Sequence, residues 1–127
     1  MTVNVGIDVG KDNLDICLLH DQTKSGRNHR KFKHKKGTHS EINCWLLKVS
    51  KCKPNDILVT IGSTGVYHES IAFYLHAVAF RVFIANQGKV HKLSQSLRLA
   101  HKTDKSDSYM LGLYGEAQGE HAQIWDT

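Results

Sequence analysis

Residues 3–10, Val-Asn-Val-Gly-Ile-Asp-Val-Gly, constrain the fold of this chain more than any other stretch. Val3, Val5, Ile7 and Val9 alternate with Asn4, Gly6 and Asp8, the period of two that places alternate side chains on opposite faces of a β-strand. Asp8 therefore stands near the end of a strand that otherwise reads as buried. A carboxylate there is costly unless it meets a cation or several hydrogen-bond donors. Leu14 to Leu19 reads as an antiparallel partner strand across a short turn at Gly10–Asn13. A plainer reading makes Asp8 a turn-starting residue ahead of Gly10. This stretch alone leaves both readings open.

The chain has 127 residues, enough for one domain with a real core. No apolar run approaches the ~18 residues that a bilayer span requires, so no membrane association is expected. The opening Met1-Thr2-Val3-Asn4 lacks the basic flank of a signal peptide. Cys17, Cys44 and Cys52 lie inside apolar patterns and not in Cys-x-x-Cys pairs. They read as reduced core thiols of a cytoplasmic protein; zinc held by Cys44, Cys52 and a histidine is the rival reading. The nine histidines contain no His-x-x-x-His pair and read as surface residues.

The net charge is +5, and it is unevenly spread. Residues Lys24 to Lys36 carry seven of the seventeen Lys and Arg and no acid, leaving ten basic against twelve acidic residues elsewhere. Such a stripe, with Arg27, Arg30, Lys31, Lys33, Lys35 and Lys36, suits a phosphate backbone. It would equally suit an edge strand kept soluble by lysines. On a strand, Arg30, Phe32 and His34 would share one face, and Lys31, Lys33 and Lys35 the other.

The remaining elements follow in order. A third strand is expected from about Arg27 to Lys33. Thr38-His39-Ser40-Glu41 has the spacing of a capping box for a helix reaching about Ser50, and Ile42, Trp45, Leu46 and Val49 form its apolar face. The only proline, Pro54, lies in a loop before the β-branched strand Ile57–Ile61. A helix follows from about Tyr67 to Ala79, then a strand at Val82–Ala85. A helical pattern runs from about Lys89 to Leu97, and a last helix from Thr103 or Asp104 through Tyr114. Residues from Gly115 onward show weak periodicity. A three-strand antiparallel meander followed by strand–helix units predicts an α/β fold: a ribonuclease H-like mixed sheet with helices on its faces.

Lys102-Thr103-Asp104-Lys105-Ser106-Asp107 is the second informative segment. If Thr103 caps a helix, Asp104 and Asp107 lie three residues apart on one face of its first turn. Two such carboxylates suit a hard divalent cation, which prefers oxygen ligands. Acids at a helix N-terminus are also stabilised by the helix dipole alone.

Taken together, four pieces carry a resemblance: Gly6-Ile7-Asp8-Val9-Gly10-Lys11; Ser63-Thr64-Gly65-Val66-Tyr67 after a buried strand; Val82-Phe83-Ile84-Ala85-Asn86; and Lys102 to Asp107. In this order and spacing they resemble the N-terminal, RuvC-like domain of insertion-sequence transposases with a DEDD site, the family that includes Piv-type DNA invertases. The resemblance implies a domain over residues 1–118, with 119–127 a tail or the start of a linker. It implies Mg²⁺ or Mn²⁺ bound by Asp8, Asp104 and Asp107 for DNA strand cleavage and transfer. The family's second ligand is a Glu, and Gly62 occupies that position, so an impaired or inactive site is expected. Glu69, seven residues on, belongs to the next helix and is expected to point elsewhere.

The family's strand-exchange serine lies in a second, C-terminal domain. None of Ser63, Ser94, Ser96, Ser106 or Ser108 is assigned that role. The resemblance further implies DNA and a guide (bridge) RNA as partners, and a homo-oligomer when full length. Lys89, Lys92, Arg98 and Lys102 would add to the nucleic-acid contacts. Two rival readings remain: a metal-independent nucleic-acid-binding module built on the Lys24–Lys36 stripe, and an actin-like ATPase fragment, which shares the Gly-Ile-Asp-x-Gly opening.

Overall fold

The computed structural model describes residues 3–19, 27–33, 35, 37–62, 69–85, 90, 92 and 107–118. Five strands form one sheet: β1 (Val3–Val9), β2 (Asn13–Leu19), β3 (Arg27–Lys33), β4 (Ile57–Gly62) and β5 (Arg81–Ala85). Their order across the sheet is β3-β2-β1-β4-β5. The meander β1–β2–β3 is antiparallel, whereas β4 pairs parallel to β1 and β5 parallel to β4. The hairpin turn between β1 and β2 closes on the Gly10 amide donating to the Asn13 carbonyl at 2.9 Å.

Helices cover both faces, and every residue of β1 except the half-buried Asp8 is buried. On one face, Val3, Val5, Ile7 and Val9 of β1 pack with Leu14, Ile16, Leu18, Ile57, Val59 and Ile61. This face is roofed by α1 (Thr38–Ser50) through Ile42 and Leu46, and by α2 (Glu69–Ala77) through Ile71, Ala72 and Leu75. The other face is covered by α3 (Asp107–Gln118), whose Met110, Leu111 and Tyr114 pack on Leu58, Phe83 and Ala85. Burying an aliphatic or aromatic side chain of this kind contributes about 1.5–3 kcal/mol. Edge strand β3 is tied to α1 by Phe32, whose ring meets Trp45 edge-on at 6.0 Å.

Several local expectations change. The capping box does not form: Gly37 is the N-cap, in the left-handed region at φ 88°, and Thr38 lies buried inside the first turn. Ser40 instead donates its hydroxyl back to the Gly37 carbonyl. Pro54 opens a short 3₁₀ turn, Pro54–Asp56. Helix α2 ends at Ala77, and Ala79 follows in the left-handed region. The last helix runs past Gly115 to Gln118, because Gly115 is part of its buried face and not a breaker. Of the three cysteines, Cys17 is buried as a core thiol, but Cys44 is exposed on α1. His39 is half-buried, its ring tilted against Tyr74 at 5.5 Å. The starts expected for α2 and α3, at Tyr67 and at Thr103 or Asp104, and most of the helical pattern at 89–97 lie outside the described residues. Among the described residues no helix is long and apolar enough to cross a membrane.

Candidate carboxylate site and nucleic-acid face

Asp8 is the next-to-last residue of β1, the central strand, and is half-buried. Its face of the sheet is the one that α3 covers, shared with Asn4 and Gly6. Across β2 it pairs directly with Asp15. On the other side Ile7 pairs with Ile61, so one further step along β4 brings Gly62, the strand's last residue, beside Asp8. Gly62 is buried and carries no side-chain oxygen to add to the site.

Helix α3 meets this face backbone to backbone. A Cβ on Gly6 would collide with the Ser108 carbonyl oxygen and the Gly112 amide nitrogen. A Cβ on Gly115 would collide with the Thr60 hydroxyl and lie 3.8 Å from Leu58 Cδ2. Thr60 pairs with Gly6, and Leu58 with Asn4. The helix therefore passes from Gly6 on β1, at Ser108 and Gly112, to Thr60 on β4, at Gly115. Ser108, the second residue of α3, lies against Gly6, two residues before Asp8 on the same face of β1. Gly6 and Ser108, about a hundred positions apart in the chain, are brought into contact in this way.

Asp104 and the Asp107 side chain lie outside the described set. Among the described residues, no group of three or more His, Cys, Asp or Glu stands close enough to hold a metal ion. Glu69 is exposed at the first turn of α2. Asp15 is the residue that reading the sequence alone overlooks. Its position on β2, one residue after Leu14, carries the signal, but only the hairpin register makes it a neighbour of Asp8. Adjacent carboxylates across a strand pair repel, and Lys31 on β3 answers with its ammonium 3.9 Å from Asp15 Oδ1.

The basic stripe is divided by the pleat. Arg30 lies over the Phe32 ring at 4.6 Å, on the α1 side of the sheet. Lys31 and Lys33 are exposed and belong to the opposite face, the face of Asp8. Lys35 and Lys92 are exposed; Lys36, Lys89, Arg98, Lys102 and the Arg27 side chain lie outside the described residues.

A model of the DEDD transposase family of IS110 type, described as Transposase, matches residues 5–125. This chain belongs to that family. It is similar to the pilin gene-inverting proteins of Moraxella bovis and Moraxella lacunata, at 26% identity over 121 residues in each case. The match takes in 95% of this chain but only 36% of either relative, so the chain spans about a third of their length. In fold it is similar to Thermus thermophilus RuvC in complex with a Holliday junction substrate, with a TM-score of 0.65 at 12% identity. A second RuvC structure from that organism matches with a TM-score of 0.61 at 13% identity. Each alignment covers 98% of this chain and 100% of the RuvC chain. A mixed five-stranded sheet with helices on both faces is thus a RuvC-like, ribonuclease H-like fold, in a domain of the transposase and recombinase family.

Proposed function

We propose that this chain is the N-terminal, RuvC-like domain (residues 1–118, with 119–127 leading toward a second domain) of a DNA transposase or recombinase. Its site is built from Asp8, Asp104 and Asp107. The observation that carries the reading is the contact of Gly6, two residues before Asp8, with Ser108, the residue after Asp107. An all-oxygen donor set of this kind fits Mg²⁺ or Mn²⁺. Such an ion, when bound, would supply Lewis-acid stabilisation at a scissile phosphate. Asp8 is held half-buried on β1, which strengthens its attraction for a cation.

Gly62 leaves this donor set one carboxylate short of a DEDD quartet. The proposed domain is consequently impaired in metal binding, and strand exchange belongs to a full-length protein with its second domain, acting as a homo-oligomer on DNA and guided by an RNA. Calorimetric titration with Mn²⁺ tests this on the chain itself, on Gly62→Glu and on Gly62→Glu combined with Asp8→Asn or Asp104→Asn. Gly62→Glu is expected to gain ion binding that either Asn substitution abolishes. If Gly62→Glu binds no better than the parent, and the Asn substitutions change nothing, the carboxylates are structural. The uneven charge would then favour a second reading, a metal-independent nucleic-acid-binding module.

A further inference from the structure

The two faces of β3 have different surroundings, and the difference assigns the basic residues to different tasks. On the α1 side, Arg30 is laid over Phe32, and Phe32 is buried edge-on against Trp45. A guanidinium stacked on a ring gains from both dispersion and the ring quadrupole. Arg30 thereby braces the edge strand against α1.

On the other side, α3 lies chiefly over β1, β2 and β4, and among the described residues the β3 side chains on this face stay exposed. That open face carries Lys31 and Lys33. Lys31, Asp15 and Asp8 form one cross-strand row, and Lys33 stands one row further, opposite Asn13. With strands ~4.8 Å apart, β3 is roughly 10 Å from β1. A single nucleic-acid strand covers that distance in about three nucleotides. The ion pair with Asp15 holds the Lys31 ammonium on this path, with 60% of the lysine side chain still exposed.

We propose that Lys31 and Lys33 bind consecutive phosphates of the DNA strand that crosses the β2–β3 hairpin toward Asp8, with Asp15 as the positioning residue for Lys31, and that Arg30 takes no part in this contact. The occupant is a DNA strand because the row is cationic at the open edge and ends at the carboxylates proposed above to act on DNA. The inference rests on that reading for its location but not on metal binding.

The test is fluorescence anisotropy of a labelled, mixed-sequence DNA duplex against the full chain across a NaCl series, with EDTA present. Lys31→Gln and Lys33→Gln are each expected to weaken binding roughly tenfold near 0.1 M salt, and each to flatten the log–log salt slope by about 0.9. Arg30→Gln is expected to leave the slope unchanged while lowering the melting temperature. Asp8→Asn removes a negative charge from the end of the path. It should tighten binding in the parent and have no effect in the Lys31→Gln/Lys33→Gln double variant. That coupling ties the lysines to the neighbourhood of Asp8, and it is read without metal, so it stands or falls apart from the Mn²⁺ titration. A slope unchanged in the double variant overturns the proposal. So does an equal flattening by Arg30→Gln, an Asp8→Asn gain that persists without the lysines, or a loss confined to an RNA hairpin probe.

Discussion

The contact between Gly6 and α3 gives the sharpest prediction, because local and tertiary physics disagree about its sign. Considered only as a strand residue, Gly6→Ala should stabilise the protein by about 0.5–1 kcal/mol, since alanine loses less backbone entropy on folding. The structure demands the opposite. The new Cβ would meet backbone atoms of Ser108 and Gly112, not the end of a flexible side chain, so nothing can rotate away. Non-bonded atoms settle ~3.5 Å apart, so α3 must retreat by roughly 1 Å or more. Overpacking of a rigid core costs about 1–3 kcal/mol, and this case belongs at the upper end. A retreat also loosens Met110, Leu111 and Tyr114 from Leu58 and Phe83. We expect a loss of ~3 kcal/mol, read as a lower urea midpoint and a melting temperature lower by about 10 °C or more. Gly112→Ala is the matched control. Its Cβ would stand 2.9 Å from Leu19 Cδ1, a side-chain end that can turn aside, and alanine gains about 1 kcal/mol over glycine within a helix. Its net change should stay within about 1 kcal/mol. A Gly6→Ala protein as stable as the parent would refute the close approach, and with it the support that this contact lends to the proposed pairing of Asp8 with Asp107.

Two further substitutions probe the same packing and its surroundings. Thr60 Oγ1 is buried beneath α3 with no hydrogen-bond partner among the described residues, so Thr60→Val should be neutral or stabilise by about 1 kcal/mol in urea unfolding; a loss of that size would mean the hydroxyl is bonded after all. Ala79 is exposed at φ 77°, a region that strains an L-residue, and Ala79→Gly should raise stability by about 0.5–1 kcal/mol with no change in the urea m-value.

Much of the fold is legible in the sequence because its causes are local. The alternation of Val3 to Val9, the β-branched run at Ile57–Ile61, and the spacing of Ile42, Trp45, Leu46 and Val49 each declare an element without reference to the rest of the chain. The strand Arg27–Lys33 and the helix Thr38–Ser50 appear with the expected bounds. The cap at Gly37 was less legible: a left-handed glycine and a Thr-x-x-Glu sequence compete for the same helix start, and burial of Thr38 decides between them. The continuation of α3 through Gly115 was hidden for a similar reason. Glycine reads as a helix breaker until a sheet lies against it.

By itself the sequence determined the α/β class, the order of elements, Asp8 near the end of a strand that reads as buried, and the concentration of charge before residue 37, all consequences of periodicity and composition over short windows. The tertiary structure alone decided that Asp15 faces Asp8, that Lys31 and Lys33 share their face while Arg30 does not reach it, and that α3 lies against Gly6 through Ser108 and Gly112. These depend on strand register and on one backbone-to-backbone contact between residues 6 and 108–112. Such contacts join residues far apart in the chain, and no local pattern encodes their distance.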